Sequence, residues 1–264
     1  MPRGVKSASP SLEVRDLLEE AYHRLATAAF VADDPLQVPR SFSRREDAEV
    51  IGFLTATIAW GQRRTIIRNA WRLVELLDGA PHDFTMHASP SELERTGTFV
   101  HRTFNGTDLR CFVLALRALY GRHGSLEAAF LPADPGAALP PMAELIGTFR
   151  RRFFLPAHPA RTEKHVADPL RGSNAKRINM FLRWMVRPAD TGVDLGLWKR
   201  IPPSALHVPL DVHTGRVARQ LGLLRRKQDD WKSVEELTAA LRLLDPADPV
   251  KYDIALFGLG VGGM

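Results

Sequence analysis

The sequence predicts an all-α protein, on three observations. Apolar residues recur at helical spacing through most of the chain. Helix-start signatures head several of these runs. There are no convincing runs of alternating apolar and polar residues, no internal repeats and no low-complexity segments. Hydrophobic residues make up 45% of 264, enough for one large or two small domains with a proper core. About ten helices are expected, against a typical length of ~11–12 residues.

Residues 1–10 read as a tail. Leu12, Leu17, Leu18, Ala21 and Leu25 form the apolar stripe of a first helix, which Pro35 and Pro39 break. Ser43-Arg44-Arg45-Glu46 is a capping-box pattern that starts a strongly apolar helix from Ala48 to Ala59, and Gly61 marks the following turn. Ile66, Ile67, Trp71, Val74 and Leu77 define the next helix, which Gly79 and Pro81 end. Ser89-Pro90-Ser91-Glu92 is a second capping box with proline in the tolerated first position. A basic, aromatic turn at 101–106 leads into a helix over about 107–122, then a short one at 124–130 and a Pro/Ala/Gly-rich loop at 132–141. Helices follow at Met142–Phe154 and Ala175–Val186, with an irregular stretch at 155–171 between them. An irregular insertion at 188–207 precedes a helix opened by Asp211. Ser233-Val234-Glu235-Glu236 is a third capping box, and Asp245-Pro246 starts a last helical region.

The net charge of +6 suits a polyanionic partner, nucleic acid or anionic lipid. The single cysteine, Cys111, excludes an intrachain disulfide and any four-thiolate zinc or iron–sulfur site. The start MPRGVKSASP lacks the apolar core of a secretory signal, and no run approaches the roughly 20 apolar residues of a membrane span, so a cytoplasmic location is expected. No HExxH, GxSxG or Walker pattern is present, and the nine histidines are scattered without ligand spacing. Gly258-x-Gly260 does not follow a strand and makes no dinucleotide site.

The chain is organised around Val208-Pro209-Leu210-Asp211-Val212-His213 and the helix it enters. By spacing alone Asp211 is an N-cap whose carboxylate accepts first-turn N–H groups. Taken singly, Lys176 reads as a solvated lysine, Asp253 as a cap or a partner of Lys251, and Phe257 and Trp60 as core.

Together these residues resemble the helix-hairpin-helix DNA glycosylases. Gly172-Ser173-Asn174-Ala175-Lys176-Arg177 is similar to the hairpin consensus L-P-G-V-G-x-K. Gly172 matches its first glycine and Lys176 its lysine. Asn174 replaces the second glycine, and asparagine is among the residues that visit left-handed backbone most easily. The usual Leu-Pro is shifted to Pro169-Leu170. Val208 to His213 resembles the V-P-V-D-V-H that starts the family's catalytic helix. Lysine and aspartate lie 35 residues apart, further than in most members, and the insertion at 188–207 accommodates the excess. The archaeal 8-oxoguanine glycosylases share a longer separation and are the branch most similar to this chain. Asp253-Ile254-Ala255-Leu256-Phe257 resembles their late helix, where a polar residue reads the base edge and an aromatic one turn later stacks on it. Trp60-Gly61-Gln62 resembles the early helix end that fills the gap left by an extruded base. The chain is also similar to a family of bacterial proteins known mainly by sequence.

The resemblance implies a two-lobed helical fold with a cleft. One lobe spans about 45–187. The other combines the N-terminal tail and helix (1–44) with 188–264. It implies an 8-oxoguanine DNA glycosylase with AP-lyase activity, acting as a monomer on damaged double-stranded DNA, with no membrane partner. It implies no organic cofactor and no metal beyond a monovalent cation held by the hairpin. Asp211 stabilises the positive charge that develops on the sugar. Lys176 attacks the anomeric carbon and forms a Schiff base. A free lysine is protonated near neutrality, with a pKa of about 10.4, and burial or a helix N-terminus favours the neutral nucleophile. Base extrusion costs a few kcal/mol, which stacking offsets. Phe257 and Trp60 would stack on the base, and Asp253 would accept its N–H groups. Gln62, Arg63, Arg64, Gly172, Ser173, Asn174, His213 and Arg216 would meet DNA, chiefly at phosphates. Two alternatives stand beside this reading: a glycosylase for another damaged base, and a non-catalytic helix-hairpin-helix module that binds nucleic acid.

Overall fold

The computed structural model describes residues 10–262. The expected tail thus lies outside the described residues except for Pro10. The described residues contain fourteen α-helical segments and one two-stranded sheet. In chain order they are α1 (Leu12–Leu25), α2 (Ala28–Ala32), α3 (Gln37–Arg40), α4 (Arg45–Thr57), α5 (Arg63–Leu76), α6 (Pro81–His87) and α7 (Pro90–Arg95). Strands β1 (Val100–His101) and β2 (Phe104–Asn105) follow. Then come α8 (Gly106–His123), α9 (Leu126–Phe130), α10 (Met142–Phe153), α11 (Lys176–Val186), α12 (Val212–Gln220), α13 (Trp231–Leu244) and α14 (Tyr252–Val261). The all-α class holds. The basic turn at 101–106 closes an antiparallel hairpin, pairing Val100 with Asn105 and His101 with Phe104.

Helix α4 runs through the core. Every residue from Asp47 to Thr57 is buried, as expected of a helix that is apolar nearly all round. The Phe53 ring meets those of Phe112, Phe149, Phe153 and Phe181 at centroid distances of 5.3–5.7 Å. Helix α11 packs beside it. Glu49, fully buried on α4, accepts hydrogen bonds from Arg45 Nε (2.9 Å), Tyr120 Oη (2.7 Å) and Trp198 Nε1 (2.7 Å). A buried carboxylate is tolerable only with such partners.

Helix α14 packs against both α1 and α12. Gly260 lets α12 approach: a Cβ there would stand 3.0 Å from His213 Cβ and 3.2 Å from its carbonyl oxygen.

Two expected capping boxes are corrected. Ser43 does not cap α4; the N-cap is Arg44, and no side chain caps it. Glu46 pairs with Arg44 at 3.3 Å instead of reaching back to Ser43. Helix α13 begins earlier than Ser233, at Trp231, because Asp230 takes the cap and accepts the Ser233 N–H at 3.1 Å. The Ser89–Glu92 box forms as expected. The final region opens with a 3-10 turn at Pro249–Lys251 rather than at Asp245-Pro246. No described helix is long and apolar enough to cross a membrane.

Candidate active site

The hairpin before α11 is built from a 3-10 turn at Pro169–Arg171 and a left-handed Gly172 (φ 88°). The second left-handed residue is Ala175 (φ 48°), not Asn174. Asn174 works through its side chain instead. Its Oδ1 accepts the Lys176 N–H (3.2 Å), and its Nδ2 donates to the Leu210 carbonyl (3.2 Å). The second contact ties the hairpin to the residue before Asp211. Gly172 and Ser173 donate their N–H groups within the turn, to the carbonyls of Pro169 and Asp168, so neither amide is free for a phosphate. The Gly172 carbonyl accepts the Trp231 N–H at 3.1 Å. Three hairpin carbonyls, Asp168, Pro169 and Gly172, thus each accept at least one N–H. Among the described residues no group of three or more His, Cys, Asp or Glu side chains is arranged to hold a metal.

Lys176 is the first residue of α11, and Asp211 is the N-cap of α12. Asp211 Oδ1 accepts the Thr214 N–H at 2.9 Å. Oδ2 faces Lys176, 3.4 Å from Nζ. The carboxylate thus caps its helix with one oxygen and pairs with the lysine through the other. Lys176 is 33% exposed and Asp211 15%, so the pair lies at the wall of a cleft.

Two cavities meet there. One, of about 750 Å³, runs along the hairpin past Lys164, Arg171, Ser173, Asn174 and Arg177. The other, of about 420 Å³, is lined by Asp34, Arg63, Arg183, His213, Asp253 and Phe257 among others. Ala59, Trp60, Lys176, Asp211 and Val212 border both.

In the smaller cavity Asp253 is not an open carboxylate. It is buried, and its Oδ2 accepts from Arg183 Nη1 at 2.5 Å. Burial pushes its carboxyl up to about 6; Arg183 opposes the shift and the nearby Asp211 adds to it. Lys251, the partner expected from sequence spacing, pairs instead with Glu19 (3.0 Å) and Asp245 (2.8 Å). Phe257 stands one turn after Asp253. The Arg63 guanidinium lies over its ring at 5.3 Å, and His213 meets it edge-on at 6.1 Å. Trp60 carries the guanidinium groups of Arg102 (5.4 Å) and Arg177 (5.8 Å) against its ring, and its carbonyl faces His101 Nε2 (3.1 Å).

The structure therefore gathers Lys176, Asp211, Asp253, Phe257, Trp60, Arg63 and His213 at one cavity, with Ser173 and Asn174 along the other. Gln62, Arg64 and Gly172 line neither. Arg216 also stays outside, and its Nη2 donates to the Gly260 carbonyl (2.6 Å), tying α12 to α14. Sequence reasoning missed Asp34 and Arg183. Arg183 was findable: it lies seven residues after Lys176, on the same face of α11. Asp34 sits in a turn, where its Oδ1 accepts the Leu36 N–H at 2.9 Å and burial raises its carboxyl above the usual range. No periodic signal marks it.

No curated protein and no solved structure matches the chain. A family described as Protein of unknown function (DUF2400) matches residues 34–262, a span that includes every residue lining the two cavities except Phe30. The chain belongs to that family.

Proposed function

We propose that this protein is a DNA repair glycosylase with AP-lyase activity, that its fold is of the two-lobed helix-hairpin-helix kind, and that its substrate is an oxidised purine, 8-oxoguanine foremost, in duplex DNA. The observation that carries the proposal is the pairing of Lys176 with Asp211 at the junction of two cavities. One cavity carries Lys164, Arg171 and Arg177 along the hairpin, beside Asp168 and Asp229, and its cations would meet the phosphate backbone. The other has an aromatic wall and carboxylates and suits a base.

In this reading the extruded base enters the smaller cavity and stacks on Phe257, with its N–H donors toward Asp253. Lys176 Nζ, once its ammonium has given up a proton to solvent, attacks the anomeric carbon. The N-glycosidic bond breaks, its electrons leave with the base, and the base takes up a proton. Asp211 stabilises the positive charge on the sugar while that bond breaks. Loss of a proton from Nζ and opening of the sugar ring give the imine, and loss of a C2′ proton then expels the 3′ phosphate. The net charge of +6 favours encounter with DNA.

Single-turnover excision on duplexes that each carry one lesion tests the substrate. Release of 8-oxoguanine ahead of other damaged bases is expected. Preferred release of a different lesion would keep the glycosylase and change its substrate.

A further inference from the structure

A buried carboxylate behind the wall of the smaller cavity acts on that cavity through an arginine. The stretch 188–207 is attached along α11. The Leu195 N–H donates to the Trp184 carbonyl and the Trp198 N–H to the Met185 carbonyl, each at 2.8 Å. The Trp198 indole reaches Glu49 on α4. These ties set Asp194, fully buried, against two arginines of α11. Its Oδ1 accepts from Arg183 Nε at 3.1 Å and its Oδ2 from Arg187 Nη1 at 2.5 Å. Arg183 turns its Nη1 to Asp253, and Arg187 gives Nε and Nη2 to Asp248 (3.0 and 2.8 Å). Charges therefore alternate from the cavity inward: Asp253, Arg183, Asp194, Arg187, Asp248.

We propose that Asp194 is a positioning residue for the base pocket: it holds the Arg183 fork that orients Asp253, and by drawing on the same guanidinium it leaves Asp253 only partly neutralised. The inference rests on the reading of that pocket given above. A planar guanidinium can serve two carboxylates at once through different N–H groups. Without Asp194 the whole Arg183 charge would act on Asp253 and hold it ionised. With it, part of that charge is offset, and burial pushes the Asp253 carboxyl up to about 6. The other groups facing Asp253 are fixed by their own elements. Lys176 comes from α11 and opposes the upward shift, while Asp211 at the head of α12 adds to it. Asp34, Arg63 and His213 border the same cavity. Near neutrality Asp253 is then mainly an acceptor for base N–H groups, and in mild acid it becomes a donor. The insertion thus lies behind the pocket wall and bears on it through Arg183.

The test compares wild type, Asp194→Asn and Asp194→Glu by two readouts. One is the pH profile of single-turnover excision on an 8-oxoguanine duplex. The other is the carbon-13 titration of the Asp253 carboxyl, assigned by its loss in Asp253→Asn. Asp194→Asn is expected to move both midpoints down by about one pH unit, and Asp194→Glu to restore them. A slower reaction with unmoved or raised midpoints would mean that Asp194 only supports the fold, and would overturn the proposal. If wild type excises no base, the enzymatic reading fails, while the carboxyl titration still decides what Asp194 does. Should Asp194→Asn fail to fold, Arg183→Lys keeps the charge but loses the fork. It is expected to raise the Asp253 midpoint, and an unchanged midpoint there overturns the proposal as well.

Discussion

Lys176 and Asp211 meet as two helix ends. The lysine opens α11, the aspartate caps α12, and Nζ lies 3.4 Å from Oδ2. The 34 residues between them (177–210) fold away, and Asn174 binds the Leu210 carbonyl and brings the two ends together. The two oxygens of Asp211 have separate tasks, which makes capping and charge separable by mutation.

Asp211→Asn should retain the cap, since asparagine caps as well as aspartate. The ion pair it removes is partly exposed and is worth about 0–1 kcal/mol. Little change in melting temperature is expected, with base release falling on the order of 100-fold. Asp211→Ala, by contrast, should also lose about 1 kcal/mol of stability with the cap. Thermal melts and single-turnover excision on the same samples separate the two effects. Unchanged excision by a folded Asp211→Asn would leave Asp211 as a cap and nothing more.

Phe257→Ala removes a stacking face worth about 1–3 kcal/mol per base. Lesion processing should weaken by about 10- to 100-fold, with affinity for undamaged duplex nearly unchanged. Arg63 covers this ring and makes no hydrogen bond or ion pair with any described residue. Entry of a base therefore has only a cation–π contact of about 0.5–1 kcal/mol to displace. If Phe257→Ala instead loses thermal stability and all DNA binding together, the ring serves packing.

Asp253 sets the pH dependence. Its folded carboxyl titrates at about 6, above the ~3.9 of an unfolded aspartate. Between those values the folded state holds a proton that the unfolded state has released. The stability that Asp253 contributes therefore falls as pH rises through that window and levels off above it. Excision should follow the opposite course, rising through about pH 6 as the carboxylate becomes available to accept base N–H groups. Asp253→Asn should remove that contribution to the stability trend and flatten the rise in excision. Melting temperatures and excision rates recorded against pH check the two signs independently.

Gly260→Ala places a methyl 3.0 Å from His213 Cβ and 3.2 Å from its carbonyl oxygen. Overpacking of this kind costs about 1–3 kcal/mol. Helix α12 carries Asp211 and α14 carries Asp253 and Phe257, so excision should fall along with stability. An alanine variant of normal stability and activity would show that the approach of α12 to α14 has slack.

Much of this was legible because local chemistry and tertiary structure agree at the helix starts. Asp211 and Ser89 are examples. Where they part, nearby competitors decide. Ser233 fits a capping pattern, but Asp230 lies three residues earlier and takes the cap, while the Ser233 hydroxyl turns to the Gln228 carbonyl. The left-handed hairpin residue is Ala175 because Asn174 is held by its own side chain on both sides. Asp34 and Asp194 stayed hidden because each is a single carboxylate in irregular chain. Their partners lie far away in sequence or, for Asp194, one helix back, and no periodicity connects them.

The most direct test of the central claim is borohydride trapping on an 8-oxoguanine duplex, run with wild type and Lys176→Gln. Trapping requires an imine between a protein amine and the sugar, so it reports base recognition and covalent chemistry together. The account predicts a covalent protein–DNA adduct with wild type, and none with a Lys176→Gln variant that melts normally. An adduct formed by that variant at the wild-type rate would place the nucleophile elsewhere and contradict the account.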